Sequence, residues 1–121
     1  MSMLVEECLY ASIKASPTFS AIPVRPNVAI ATDVTPYVVY SKISTQRVKS
    51  LLGDSGLANS IFQIDVYARD GLQAANLSAA IRQAVLTVPQ LGAVHRDEAS
   101  LYETDTKLYR YRQDFSFWYN D

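Results

Sequence analysis

The run Tyr109-Arg110-Tyr111-Arg112 holds the densest chemistry in the chain. Alternating phenol rings and guanidinium forks can stack on and pair with an anionic ligand, or with the carboxylates of another surface. Gln63, Asp65 and Tyr67 form a second polar set at alternate positions, and Asp114 and Trp118 follow the arginines at the same spacing. Gly53-Asp54-Ser55-Gly56 matches the tetrapeptide around a serine-protease nucleophile. That chemistry needs a histidine and an aspartate upstream, and here the only histidine, His95, lies downstream. A glycine turn at the tip of a loop is the reading that stands. His95 itself sits beside Arg96 and Asp97, past a helix-ending proline, and reads as a solvated loop residue. Asp97, Glu98, Glu103 and Asp105 are a loose acidic group that reads as a solvated turn or as interface contacts. Paired carboxylates do acid–base work only in a cleft that shifts their pKa values.

No catalytic, metal or cofactor site follows from these residues. A single cysteine, Cys8, excludes an internal disulfide and leaves no thiolate zinc site. No glycine-rich phosphate loop follows a strand-like run. Asn76-Leu77-Ser78 matches a glycosylation acceptor but falls in the middle of a helix-like segment. Eleven basic and twelve acidic residues give a net charge of −1, which argues against specific nucleic-acid binding. No segment approaches the ~20 apolar residues of a membrane helix. Glu6 and Glu7 stand where a signal peptide needs an apolar stretch, so the expected location is the cytoplasm or a particle assembled there.

The elements that must position these residues follow from hydrophobic period. The 121 residues suit one domain. Val5, Cys8, Leu9 and Ile13 predict a helix over 3–14, stopped by Ser16-Pro17. A short extended piece is expected around Ala21–Val24, then an irregular loop to Pro36. Tyr37–Thr45 alternates as a strand, with Tyr37, Val39 and Ile43 on one side and Val38 and Tyr40 on the other. Residues 46–58 read as a loop, where Arg47, Lys49, Leu51 and Leu52 mix charge and apolar side chains as a docking segment would. Ser60–Ala68 is a strand with Phe62, Ile64, Val66 and Ala68 toward the core. Asp70 caps a helix to about Val88, with Leu77, Ile81, Ala84, Val85 and Val88 as its stripe, ended by Pro89. A strand around Ser100–Glu103 precedes the last one, 107–119.

The final strand has two unlike faces. Tyr111, Phe115 and Phe117 are expected inside. Arg110, Arg112 and Asp114 are expected to face a neighbouring strand or subunit, with Asp65 within cross-strand reach of one arginine. The order predicts an α/β (α+β) domain: a mainly antiparallel or mixed sheet with two helices on one face. The other face is too apolar to be simply wetted, and a second layer from another subunit is one resolution.

Three runs in order carry a resemblance: Pro36-Tyr37-Val38-Val39-Tyr40; Gln63-Ile64-Asp65-Val66-Tyr67-Ala68; and Glu103 to Arg110 followed by Asp114-Phe115-Ser116-Phe117-Trp118. Together, with an alanine-rich helix between the second and third, the chain resembles the small tail-completion proteins of long-tailed phages and prophages. The segment before Pro36 departs from the pattern, with Val and Ala where more glycine is expected. The resemblance implies a structural, non-enzymatic protein without cofactor or metal. It implies a hexameric ring that caps the tail tube as a terminator and presents a surface to head-completion proteins. It also implies a place at the head-proximal end of the virion tail, after assembly in the bacterial cytoplasm. The alternative within the same class is a head-side connector or adaptor with a similar small fold. A ligand-binding α/β module remains the reading from a different class; it requires a pocket in which Arg110, Arg112 and Tyr67 converge. Expected partners are other copies, the tube protein and the head-completion protein, through the faces of strands 60–68 and 107–119. The loops at 46–58 and 25–35 are expected to order on contact.

Overall fold

The computed structural model describes residues 5–29, 34–50, 53–87 and 92–120. Helix α1 spans Val5–Ala15 and a 3-10 turn spans Pro17–Phe19. Strands β1 (Val24–Pro26), β2 (Tyr37–Ser50) and β3 (Gly53–Ala68) follow, then helix α2 (Gly71–Leu86), and finally β4 (Ala93–Glu103) and β5 (Leu108–Asn120). They form one five-stranded sheet in the order β1-β2-β3-β5-β4. The β1/β2 pair is parallel and the other three pairs are antiparallel. This is the mixed sheet with two helices that the hydrophobic pattern predicts.

Both helices cover the same face. In α1, Val5, Leu9 and Ile13 recur at one helical turn each and are buried. Glu6 and Glu7 in its first turn and Lys14 in its last complement the helix dipole. Lys14 Nζ also donates to the carbonyls of Phe19, Ser20 and Ile22 at 3.0–3.3 Å, which ties down the turn after Ser16-Pro17. Cys8 lies only half-buried at the edge of the core. In α2 the expected cap is present: the Asp70 carboxylate accepts from the Leu72 N–H at 3.2 Å. Leu77, Ile81 and Val85 are buried; Ala84 is not, and Val88 lies outside the described residues.

Beneath the helices sit Val38 and Tyr40 from β2, Phe62, Ile64 and Val66 from β3, and Phe115 and Phe117 from β5. Phe62, Phe115 and Phe117 are fully buried, and the Phe62 and Phe117 rings meet with centroids 5.3 Å apart. Each such side chain contributes about 1.5–3 kcal/mol by leaving water. Gln113, like Ser60, is a buried polar member of this layer, and its Nε2 donates to the Ser78 carbonyl of α2 at 2.8 Å. It bolts the helix to β5 where a hydrocarbon would give only packing.

Several sequence expectations need correction. Residues 46–50 and 53–58 are strand where a loop is expected: β2 runs to Ser50 and β3 starts at Gly53, so Gly53-Asp54-Ser55-Gly56 belongs to a strand. Arg47 and Lys49 therefore stand on β2, while Leu51 and Leu52 lie outside the described residues. Antiparallel pairing is propagated by backbone hydrogen bonds and needs no apolar alternation. Two register shifts, between Lys42 and Ser44 and between Arg47 and Lys49, absorb the irregular pattern. The fourth strand is likewise longer than Ser100–Glu103, and His95, Asp97, Glu98 and Glu103 lie on it. His95 is thus a strand residue set edge-on to Phe115 at 5.2 Å, with Nε2 enclosed. The expected piece at Ala21–Val24 is shifted to Val24–Pro26. Of the 25–35 segment, residues 30–33 lie outside the described residues.

Candidate partner-binding face

Among the described residues no helix lies over the second face of the sheet. Directly paired residues share a face, so the registers define rows across it. Tyr37, Tyr67, Arg110 and Leu101 form one row. Val39, Asp65, Arg112 and Ala99 form the next, and Ser41, Gln63, Asp114 and Asp97 the third. Gln63, Asp65, Tyr67, Arg110, Arg112 and Asp114 therefore come together, as their alternation predicts. Val38 and Tyr40 lie in the core, and their neighbours Tyr37 and Val39 take this face.

The first two rows are a built network. The Tyr37 and Tyr67 rings stack with centroids 5.0 Å apart and planes at 24°. The Arg110 guanidinium lies 5.7 Å from the Tyr67 ring centre, within cation–π range. It also donates to Asp65 Oδ2 at 3.1 Å, and Gln63 Nε2 donates to the same oxygen at 3.0 Å. Glu103 Oε2 stands 3.9 Å from the other side of the fork. Burial pulls Arg110 toward neutrality, but the Asp65 hydrogen bond and charge win and hold its pKa above the ordinary value. Burial holds the Tyr67 phenol above its ordinary value, against the pull of Arg110.

Asp65 is only 4% exposed although no helix among the described residues covers it. The expected surface salt bridge is therefore a largely desolvated one, shielded by the aromatic pair and by Arg110 itself. Asp65 Oδ1, Arg110 Nε, Arg112 Nε and Asp114 Oδ1 are enclosed without partners among the described residues. Asp65 pairs directly across the ladder with Arg112, yet its hydrogen bond goes diagonally to Arg110.

At the other end of the face lies a shallow depression of about 440 Å³ lined by Ser44, Gln46, Asn59, Ile61, Val94, Arg96, Ser116 and Trp118. Trp118 is 44% exposed there. Asn59 Nδ2 donates to Ser116 Oγ at 2.6 Å and to the Phe117 carbonyl at 3.2 Å, which fixes the floor. Nothing in the sequence singles out Ser44, Gln46, Asn59 or Arg96; they gather because the β2–β3 hairpin is longer than its hydrophobic pattern. The depression contains none of Arg110, Arg112 and Tyr67, so the pocket that the ligand-binding reading requires is not formed by it. Among the described residues no cluster of His, Cys, Asp and Glu could hold a metal ion, and no helix is long and apolar enough to cross a membrane.

Fold and face define a small α+β structural module with one helix-covered and one open sheet face. Residues 9–120 match the family model of the tail completion protein gp17. The chain belongs to that family, which consists of structural phage tail proteins, and it is a tail-completion protein. A chain in the virion of a native gene transfer agent particle has a similar fold, with a TM-score of 0.74 at 14% identity over 93% of this chain and 92% of that one. The gp17 protein of bacteriophage SPP1 is similar at a TM-score of 0.58 and 15% identity, over 97% and 89% of the two chains. No curated protein matches the chain by sequence.

Proposed function

We propose that this tail-completion protein works as a terminator: copies close into a hexameric ring that caps the tail tube, stops its growth and presents a surface to the head-completion protein. The ring sits at the head-proximal end of the virion tail and assembles in the host cytoplasm. It works without enzymatic activity, cofactor or metal. Its partners are other copies, the tube protein and the head-completion protein.

The observation that carries this reading is the open sheet face. It combines a stacked tyrosine pair, a desolvated Asp65–Arg110 bridge and an exposed Trp118 on one rigid surface. Aromatic and arginine side chains on a rigid support are the usual anchors of protein interfaces. Arg112 and Asp114, partly exposed side by side on this face, supply charge complementarity that fixes orientation more than it adds affinity. A face of this kind fits a flat protein partner better than a small ligand, which takes a concave site.

Light scattering tests the ring. The protein alone, or mixed with purified tail tubes, should yield a closed oligomer of about six copies. A monomer that persists at high concentration and also in the presence of tubes contradicts the proposal.

A further inference from the structure

Two local devices shape the depression at the Trp118 end of the open face. The first is the bulge in β4. His95 pairs with Phe115 and Asp97 with Asp114, so Arg96 is the residue between them without a counterpart on β5. A bulge re-aims the side chain it carries, and here Arg96 joins Ile61, Val94, Ser116 and Trp118 in lining the depression. The second is Gly92. Its φ is +48°, and a Cβ there would lie 2.9 Å from the Trp118 carbonyl oxygen. Glycine lets the chain entering β4 close against Trp118, so backbone packing holds that wall of the depression in place.

Arg96 brings the only formal charge to the lining. Among the described residues no ion pair or side-chain hydrogen bond engages its guanidinium. The carboxylates of the next row are turned elsewhere: Asp97 Oδ1 accepts from the Glu98 N–H at 2.9 Å, and Asp114 Oδ1 is enclosed. Ser116 is 9% exposed, and its Oγ accepts from Asn59 Nδ2 at 2.6 Å, which leaves its O–H to donate. A guanidinium without a counter-charge and a hydroxyl proton without an acceptor suit a carboxylate, whose two oxygens match the fork of an arginine. Ile61, Val94 and the Trp118 ring offer apolar contact to the stem that carries such a carboxylate. A nucleic-acid backbone fits less well: one cation is too few, and Asp97 and Asp114 in the next row would meet its neighbouring phosphates.

We propose that this depression receives one Asp or Glu side chain of the tail tube, with its carboxylate on Arg96 and Ser116 Oγ and its stem against Trp118. This deepens the reading of the open face as a docking surface, and rests on it, by naming the chemistry recognised at its Trp118 end.

The test uses full-length wild type, R96Q and R96K, each checked for folding by circular dichroism, in co-sedimentation with purified tail tubes. R96Q should bind at least about tenfold more weakly than wild type. R96K keeps the charge but not the fork, and should fall between them. The tubes are then treated with carbodiimide and ethanolamine, which converts exposed carboxylates to neutral amides, and are checked for integrity by electron microscopy. On amidated tubes the gap between wild type and R96Q should close. A gap that persists there overturns the carboxylate, as does R96Q binding native tubes as tightly as wild type; weakened binding by W118A would in either case leave the open face as the docking surface. A short DNA duplex retained by wild type and released by R96Q assigns the depression to phosphate and overturns the proposal. Wild type that does not sediment with native tubes overturns the docking reading and the carboxylate site with it.

Discussion

Asp65 and Arg110 carry most of the electrostatic organisation of the open face. Removing one partner leaves a desolvated charge, so D65A should lower stability by about 1–3 kcal/mol in urea denaturation. A double-mutant cycle with R110A should return a coupling of about 1 kcal/mol; additive losses would mean that the pair is spectator geometry. The tyrosines add a pH signature. Burial raises the phenol pKa of Tyr67 and Tyr40 in the folded protein, so folding favours the neutral ring. That stability is complete below the unfolded value near 10 and is lost as pH rises through the folded value. Urea midpoints should therefore be flat up to about pH 9 and fall above about pH 10, with a shallower fall in Y67F. An equal slope in Y67F would remove Tyr67 from the account. The Asp65–arginine contact was within reach of the alternation alone, because period two puts Asp65, Arg110 and Arg112 on one face. The choice of Arg110 over Arg112 was not, since it depends on a diagonal reach and on the Tyr67 ring.

At the scale of elements, the helices were legible because the 3.6-residue period, the Asp70 cap and the Ser16-Pro17 stop all agree. The cap is worth testing: D70A should cost about 1 kcal/mol, measured by urea denaturation, while D70S should restore most of it. No loss in D70A would mean that packing of Leu77, Ile81 and Val85 alone holds the helix start. The core strands were equally legible from Phe62-Ile64-Val66 and Phe115-Phe117. The far half of the β2–β3 hairpin was not. Its described residues from Ser44 to Ser55 are, apart from Val48, polar or small, and strand pairing there comes from a neighbour's backbone, which leaves no periodic trace in side chains. The same reason hid the first half of β4 and with it the strand setting of His95. The depression around Trp118 was unreadable for a related cause: its lining comes from four strands, and only Trp118 announces itself by type.

For the whole molecule, one helix-covered face gives a stable core and one open face gives a surface to use. The two demands separate cleanly in mutants. W118A should change stability by less than about 1 kcal/mol, because the ring is half exposed. It should weaken attachment to tail tubes by about thirtyfold, the ~2 kcal/mol of a hot-spot aromatic, measured by co-sedimentation. Unchanged attachment would move the contact away from this end of the face. The three ordered runs that resemble tail-completion proteins coincide with the strands that build this face, and the family match over residues 9–120 spans all of them. If this protein ends tail growth, particles assembled without it differ in tail length, which electron microscopy measures. A terminator's absence should leave tails of abnormal, excessive length. Tails of normal length lying unattached to heads would contradict it and assign the chain to joining alone.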